Sequence, residues 1–159
     1  MDDASALVQA ANNRNVSVML RDMFPHPYTR DDAEGYLAAA ISGESEAIRF
    51  CIEVDCSAAG GIGLHPQSDI NRLTFELGYW LAEPYWGRGI MSAAVRATVA
   101  HGFETLPLER IEAYVFANNP ASARVLEKCG FSFEGRLRRN VIKNGEVLDS
   151  LMFAKLSDS

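Results

Sequence analysis

Helical periodicity comes first along this chain, strand alternation second, and the two alternate in its second half. Leu7, Val8 and Ala11 fall on one side of a predicted helix over residues 3–13, which Asp3 or Ser5 can cap and Asn12-Asn13 can end. A second short helix or turn is expected over 16–20. The prolines of Phe24-Pro25-His26-Pro27-Tyr28 then hold the backbone extended. Thr29-Arg30-Asp31-Asp32 has the form of a capping box with Asp in place of Glu. It opens a helix to about Ile41, with Tyr36, Leu37 and Ala40 as its apolar stripe and Ser42-Gly43-Glu44 as its stop.

Period-two alternation begins at residue 48. Residues 48–54 put Ile48, Phe50, Ile52 and Val54 on one face, and a second strand follows over 60–64. A polar loop covers 66–71. The long strand 72–81 sends Leu73, Phe75, Leu77, Tyr79 and Leu81 one way and Thr74, Glu76, Gly78 and Trp80 the other. A helix over 92–103 and a strand over 110–116 come next. Asn119 caps a further helix with Pro120 at its first position; it runs to Cys129, with Gly130 as its stop. Residues 131–142 and 147–155 form a hairpin turned by Asn144-Gly145, a type I′ signal. The order predicts a mixed α/β (α+β) fold, mainly antiparallel, in one domain over residues 1–159.

Bulk properties narrow the function classes. The 159 residues are 48% apolar and 23% charged, ordinary for a globular protein, and no apolar run reaches the roughly 20 residues that span a bilayer. Met1-Asp2-Asp3 leads into no apolar export segment, so a cytoplasmic protein without membrane contact is expected. Cys51, Cys56 and Cys129 show no metal-ligand spacing; Cys51 and Cys129 are expected to be buried thiols. The net charge of -6 argues against nucleic acid as the main partner and suits a cationic one.

The stretch Glu83-Pro84-Tyr85-Trp86-Gly87-Arg88-Gly89-Ile90-Met91-Ser92 joins the long strand to the next helix. Two glycines let the backbone turn tightly, the first helical turn presents free N–H groups, and Arg88 adds a charge. That combination suits either an anion site or a plain tight turn.

Three motifs in order resemble the GNAT acyltransferase superfamily, in its RimJ/RimL-like branch of protein N-terminal acetyltransferases. They are Glu76-Leu77-Gly78-Tyr79-Trp80-Leu81, then Trp86-Gly87-Arg88-Gly89-Ile90-Met91, and the run from Asn119 to Phe131 followed by Glu134-Gly135. The resemblance implies an acetyl-CoA cofactor, with pyrophosphate on the amides of Trp86, Gly87, Arg88, Gly89, Ile90 and Met91, and Ser92 in the same first turn. It implies a sheet splayed between strands 76–81 and 110–116, so that the pantetheine arm passes Leu81 and Asn119. The acceptor implied is an amine, either a protein N-terminal α-amine or a small molecule.

Within that resemblance Glu76 is the candidate base, its alternative being a structural carboxylate paired with an arginine. Ser122 either hydrogen-bonds the departing sulfur or only satisfies backbone in its helix. A strand N–H near Leu81 or Ala82 would hold the oxyanion. The chain departs from the family in four places. Trp86 stands where Arg or Gln is usual, and Met91 where the loop ends in a small residue. Leu126 replaces a tyrosine proton donor, and Val141 replaces a glutamate assigned as base in some RimL-like enzymes. The last two keep open a different class, a non-catalytic acyl-CoA-binding or regulatory module. The family's first strand is absent before the first helix, which raises the prospect of a homodimer completing the sheet.

The histidines show no triad spacing. His65 is expected in a loop and His101 late in a helix; His26 is a candidate, with Phe24 and Tyr28, for lining an acceptor pocket. Arg136-Leu137-Arg138-Arg139 reads as a solvated strand edge or as a contact for an acidic group such as the 3′-phosphate.

Overall fold

The computed structural model describes residues 3–43 and 46–157, so Glu44 in the expected helix stop lies outside the described residues. Three helices open the chain: α1 (Asp3–Ala11), α2 (Arg14–Ser17) and α3 (Arg30–Ile41). Then come β1 (Ile48–Val54), β2 (Ser57–Pro66), β3 (Thr74–Leu81), α4 (Ile90–Thr105), β4 (Arg110–Phe116), α5 (Pro120–Lys128) and the hairpin β5 (Ser132–Lys143) and β6 (Glu146–Leu156). Short 3₁₀ turns at Asp69–Asn71 and Glu83–Tyr85 flank β3.

Local chemistry accounts for the ends of these elements. Thr29 and Asp32 form the reciprocal capping box of α3, and the Asn119 side chain accepts from Ser122 N–H at the head of α5. Asn144 and Gly145 both have positive φ (51° and 81°), as a type I′ turn requires. Helix α1 ends two residues early, at Ala11, because Asn13 leaves the helix to cap α2.

The six strands run in the order β1-β2-β3-β4-β6-β5. All neighbours are antiparallel except β3 and β4, which pair in parallel only at Thr74↔Arg110, Phe75↔Ile111 and Glu76↔Glu112. Beyond Glu76 the two strands separate, which is the splay expected from the resemblance.

Each sheet face carries its own core. Leu64, Leu77, Leu81, Val95, Ile111 and Leu126 pack between the sheet and α4 and α5. Leu7, Ala11, Tyr28 and Ala33, with Phe24 and Trp80 against them, join α1 and α3 to the opposite face. β1 and β5 form the two edges of the sheet.

Two expectations are corrected. Cys51 is exposed, because the register Cys51↔Gly61 turns it toward the face that α1 and α3 cover only in part; Cys129 is buried as expected. His65 is not in a loop: β2 starts at Ser57 and runs to Pro66, which places His65 inside a strand.

Candidate active site

The glycine turn between β3 and α4 is built for close approach. Gly87 and Gly89 take positive φ (73° and 78°), and a Cβ at either would meet nothing within 4 Å. Gly89 is the N-cap of α4 and supplies no side-chain cap, so no side chain takes the first amides of the helix. Helix α4 begins at Ile90 and not at residue 92, which makes Ser92 a buried first-turn residue whose carbonyl accepts from the Cys129 thiol. Arg88 is exposed and lies over the Tyr85 ring, 5.5 Å from its centroid. The turn is tied down from the other side: Asn13 and Asn15 donate to the Glu83 carboxylate at 2.7 and 2.9 Å.

The end of β3 faces the splay with free backbone. Ala82 N–H donates to Ala59 at 2.8 Å, which removes it as an oxyanion donor. Neighbours along an antiparallel strand alternate in direction, so Leu81, paired opposite Gly60, turns its N–H and C=O toward the β4 side. The Leu81 carbonyl accepts from Trp86 Nε1–H at 2.7 Å, which fixes the indole at the mouth of the splay. The Leu81 N–H lies on the same edge, which β4 does not pair.

Glu76 occupies the last paired position before the strands part, beside Glu112. Burial raises its carboxyl above the ordinary glutamate value; Arg21 opposes this and Glu112 adds to it. Arg21, from the segment after α2, pairs with Glu76 Oε1 across 55 positions of sequence. The next residue, Asp22, accepts from Lys143 Nζ at 2.8 Å, so this segment spans from β3 to the terminal hairpin. Glu112 accepts from Arg110 at 3.3 Å and from the Tyr114 hydroxyl at 3.2 Å, and Arg110 also holds Glu134 through both guanidinium nitrogens.

His65 stands directly across from Glu76 in the register of β2 and β3. Burial, then Arg49 and Arg21, hold the imidazole below its usual pKa, so it is neutral at pH 7. Phe24 and Tyr28 line a cavity of about 220 Å³ with Met23, Pro25, Asp32 and Tyr36; His26 is not among the lining residues. Phe24 packs edge-on against Trp80, which shares the sheet face of Glu76. His101 lies against Phe50 on the other face. Arg136 pairs with Asp149 at 2.6 Å, which gives it a structural partner in the hairpin.

On the opposite wall, Ser122 Oγ and the Tyr79 hydroxyl lie 2.7 Å apart. Leu81 ends β3 and Asn119 follows β4, the two strands that part beyond Glu76, and the Ser122–Tyr79 contact joins α5 to the parted stretch of β3. Tyr79, His65 and Arg21 are the residues that sequence alone missed. Alternation marked Tyr79 only as a core position, and nothing local linked Arg21 to β3.

The sequence profile described as an acetyltransferase (GNAT) domain matches residues 1–132. The chain is 36% identical over 118 residues to the uncharacterized N-acetyltransferase YoaA of Bacillus subtilis, covering 73% of this chain and 66% of that protein. It is 32% identical over 110 residues to the ribosomal-protein-serine acetyltransferase of Escherichia coli, covering 69% and 61%. The chain thus spans somewhat less than two thirds of the length of these curated relatives. In fold it is similar to RimL, a ribosomal L7/L12 α-N-protein acetyltransferase solved with coenzyme A. There the TM-score is 0.86 at 24% identity, over 99% of this chain and 92% of that one. A spermidine N-acetyltransferase from Vibrio cholerae, solved with CoA and spermine, matches with a TM-score of 0.78 at 24% identity, over 97% and 89%.

Proposed function

Because the chain belongs to the GNAT acetyltransferase family, we propose that it transfers an acetyl group from acetyl-CoA to a primary amine. The observation that carries this reading is the splay itself, with a free strand N–H and an uncovered helix start on one side and a partly buried carboxylate at its root. The cleft suits the cofactor: the open space at Gly87 and Gly89 admits a phosphate close to the backbone, and the Asn119 and Leu81 edges offer polar groups to an amide-bearing arm. Bound acetyl-CoA supplies an acyl carbon activated by its thioester.

The chain's own groups do the rest. The uncovered amides from Gly87 to Ser92 hold the pyrophosphate, with Arg88 adding charge from the rim. The Leu81 N–H meets the charge that develops on the carbonyl oxygen. An amine attacks only when neutral, so a proton must leave it, and Glu76 takes it. Arg21 engages Oε1 alone; Oε2 accepts nothing among the described residues and is the oxygen available as base.

The acceptor is an amine of the kind that the names of similar proteins give, a protein α-amine or a small amine such as spermidine. It enters on the face of Glu76, where the Phe24–Tyr28 cavity and the Arg21 segment form the walls. Residues 1–159 act as one cytoplasmic N-acetyltransferase domain. The open edge of β1 supports self-association, which sedimentation velocity at high concentration tests.

Glu76→Gln decides the role of the carboxylate. Turnover is expected to fall about 10²-fold or more, with acetyl-CoA affinity by calorimetry nearly unchanged. Unchanged turnover removes Glu76 as the base.

A further inference from the structure

Helix α5 borders the cleft with the sequence Pro120-Ala121-Ser122-Ala123-Arg124-Val125-Leu126-Glu127-Lys128, in which Ser122 is the single hydroxyl. Leu126, one turn further, is fully buried in the apolar core and carries no proton to give. Ser122 is also the point where the two walls touch. Its Oγ lies 2.7 Å from the Tyr79 hydroxyl of β3, and its backbone N–H is held by Asn119 at 3.2 Å. Tyr79 reaches it from beyond Glu76, on the stretch of β3 that no longer pairs with β4.

The Tyr79 hydroxyl also reaches the Ser122 backbone carbonyl, but at 3.4 Å against 2.7 Å to Oγ, so the two hydroxyls share one proton between them and leave the other free. The phenol is the stronger acid, which favours Tyr79 as donor and Ser122 Oγ as acceptor. Ser122 then keeps its own proton for a third group. Resting on the acetyltransferase reading above, we propose that Tyr79 is a positioning residue: by donating to Ser122 Oγ it aims the Ser122 O–H at the sulfur of CoA in the cleft. When the amine nitrogen bonds to the acyl carbon, the C–S bond breaks and its electron pair stays on sulfur. The Ser122 O–H meets that charge as a hydrogen-bond donor; the proton that Glu76 took from the amine passes to solvent, and the thiolate equilibrates with the buffered solvent once CoA is released.

The relay gives up no proton of its own. Burial pushes the Tyr79 phenol up to about 12, so it stays neutral throughout the working range. A phenol so weakly acidic does not protonate a thiolate, but it does hold a serine in one rotamer. Such a chain also polarises its terminal O–H.

The test reads sulfur directly and needs no turnover. The full chain, Tyr79→Phe, Ser122→Ala and the double variant are each saturated with CoA. The thiol is then titrated by its thiolate ultraviolet absorbance, and desulfo-CoA affinity is measured alongside. The wild type is expected to lower the pKa of the bound thiol. Each single variant should raise it by about one unit, a tenfold change in ionisation, and the double variant should add nothing further. Affinity for desulfo-CoA should be the same in all four.

A thiol titration in Tyr79→Phe identical to that of the wild type overturns the proposal, and so do independent, additive effects of the two substitutions. If Tyr79 only ties the walls together, its removal lowers the melting temperature and leaves the sulfur unchanged. Ser122→Ala, on the first turn of a surface helix, retains a readout should Tyr79→Phe fold poorly. Failure of the wild type to bind either CoA or desulfo-CoA sinks the acetyltransferase reading together with this one; binding without a shifted thiol sinks this one alone.

Discussion

Removing Arg21 should move the pH dependence of the enzyme in a direction set by the geometry around Glu76. The groups facing that carboxyl are Arg21, Glu112 on the neighbouring strand and His65 across the β2–β3 pair. Burial and Glu112 raise its pKa, and Arg21 alone among them is a fixed positive charge that lowers it. Arg21→Gln therefore raises the Glu76 pKa further, and the carboxylate form survives only at higher pH. The pair is half in water, with Arg21 62% and Glu76 20% exposed at the side chain. An ion pair so exposed is worth about 0.2–1 kcal/mol, or roughly 0.15–0.7 of a pKa unit. His65 loses one of the charges that hold it neutral, so its pKa rises as well. The assay is kcat/KM against pH with an acceptor whose own amine pKa is measured and divided out. The acid limb should shift upward by that amount in Arg21→Gln, and the shift should shrink in high salt. An acid limb that stays put, or moves to lower pH, refutes the assignment of Glu76 as the titrating base.

Two further substitutions probe the frame. Gly89→Ala meets no neighbouring atom, so its cost is the left-handed backbone alone, about 1–2 kcal/mol, seen as a melting temperature lowered by roughly 2–8 °C. Acetyl-CoA affinity should fall with it, because the same residue aims the first amides of α4. Gly102→Ala places a Cβ 2.6 Å from Leu64 Cδ1, where α4 packs on β2, and should destabilise by about 1–3 kcal/mol in a denaturant titration. Unaltered stability there would mean that α4 and β2 lie further apart than described.

The sequence exposes what local rules control. The Thr29–Asp32 box, the Asn119 cap, the Asn144-Gly145 turn and the alternation that separates Glu76 from Leu77 all depend on neighbours within a few residues. The splay followed from the resemblance, not from alternation, since strand pairing across β3 and β4 leaves no periodic trace. Long-range features were hidden for the same reason. The contact between Arg21 and Glu76 crosses 55 positions, and the one between Tyr79 and Ser122 crosses 43. Pro66 made His65 look like a loop residue, whereas Pro66 only ends β2 and leaves His65 paired with Glu76. The exposure of Cys51 is not legible because alternation assigns a side chain to a face without showing how much of that face the helices cover.

Amine-dependent release of free CoA thiol is the most direct check on the central claim. The full chain is mixed with acetyl-CoA and a panel that includes N-terminal peptides, amino acids and polyamines, and thiol is followed continuously. Thiol release that requires an amine, with a matching acetylated product, is the predicted result. Tight CoA binding with no release on any amine would contradict it and leave the chain as an acyl-CoA-binding module.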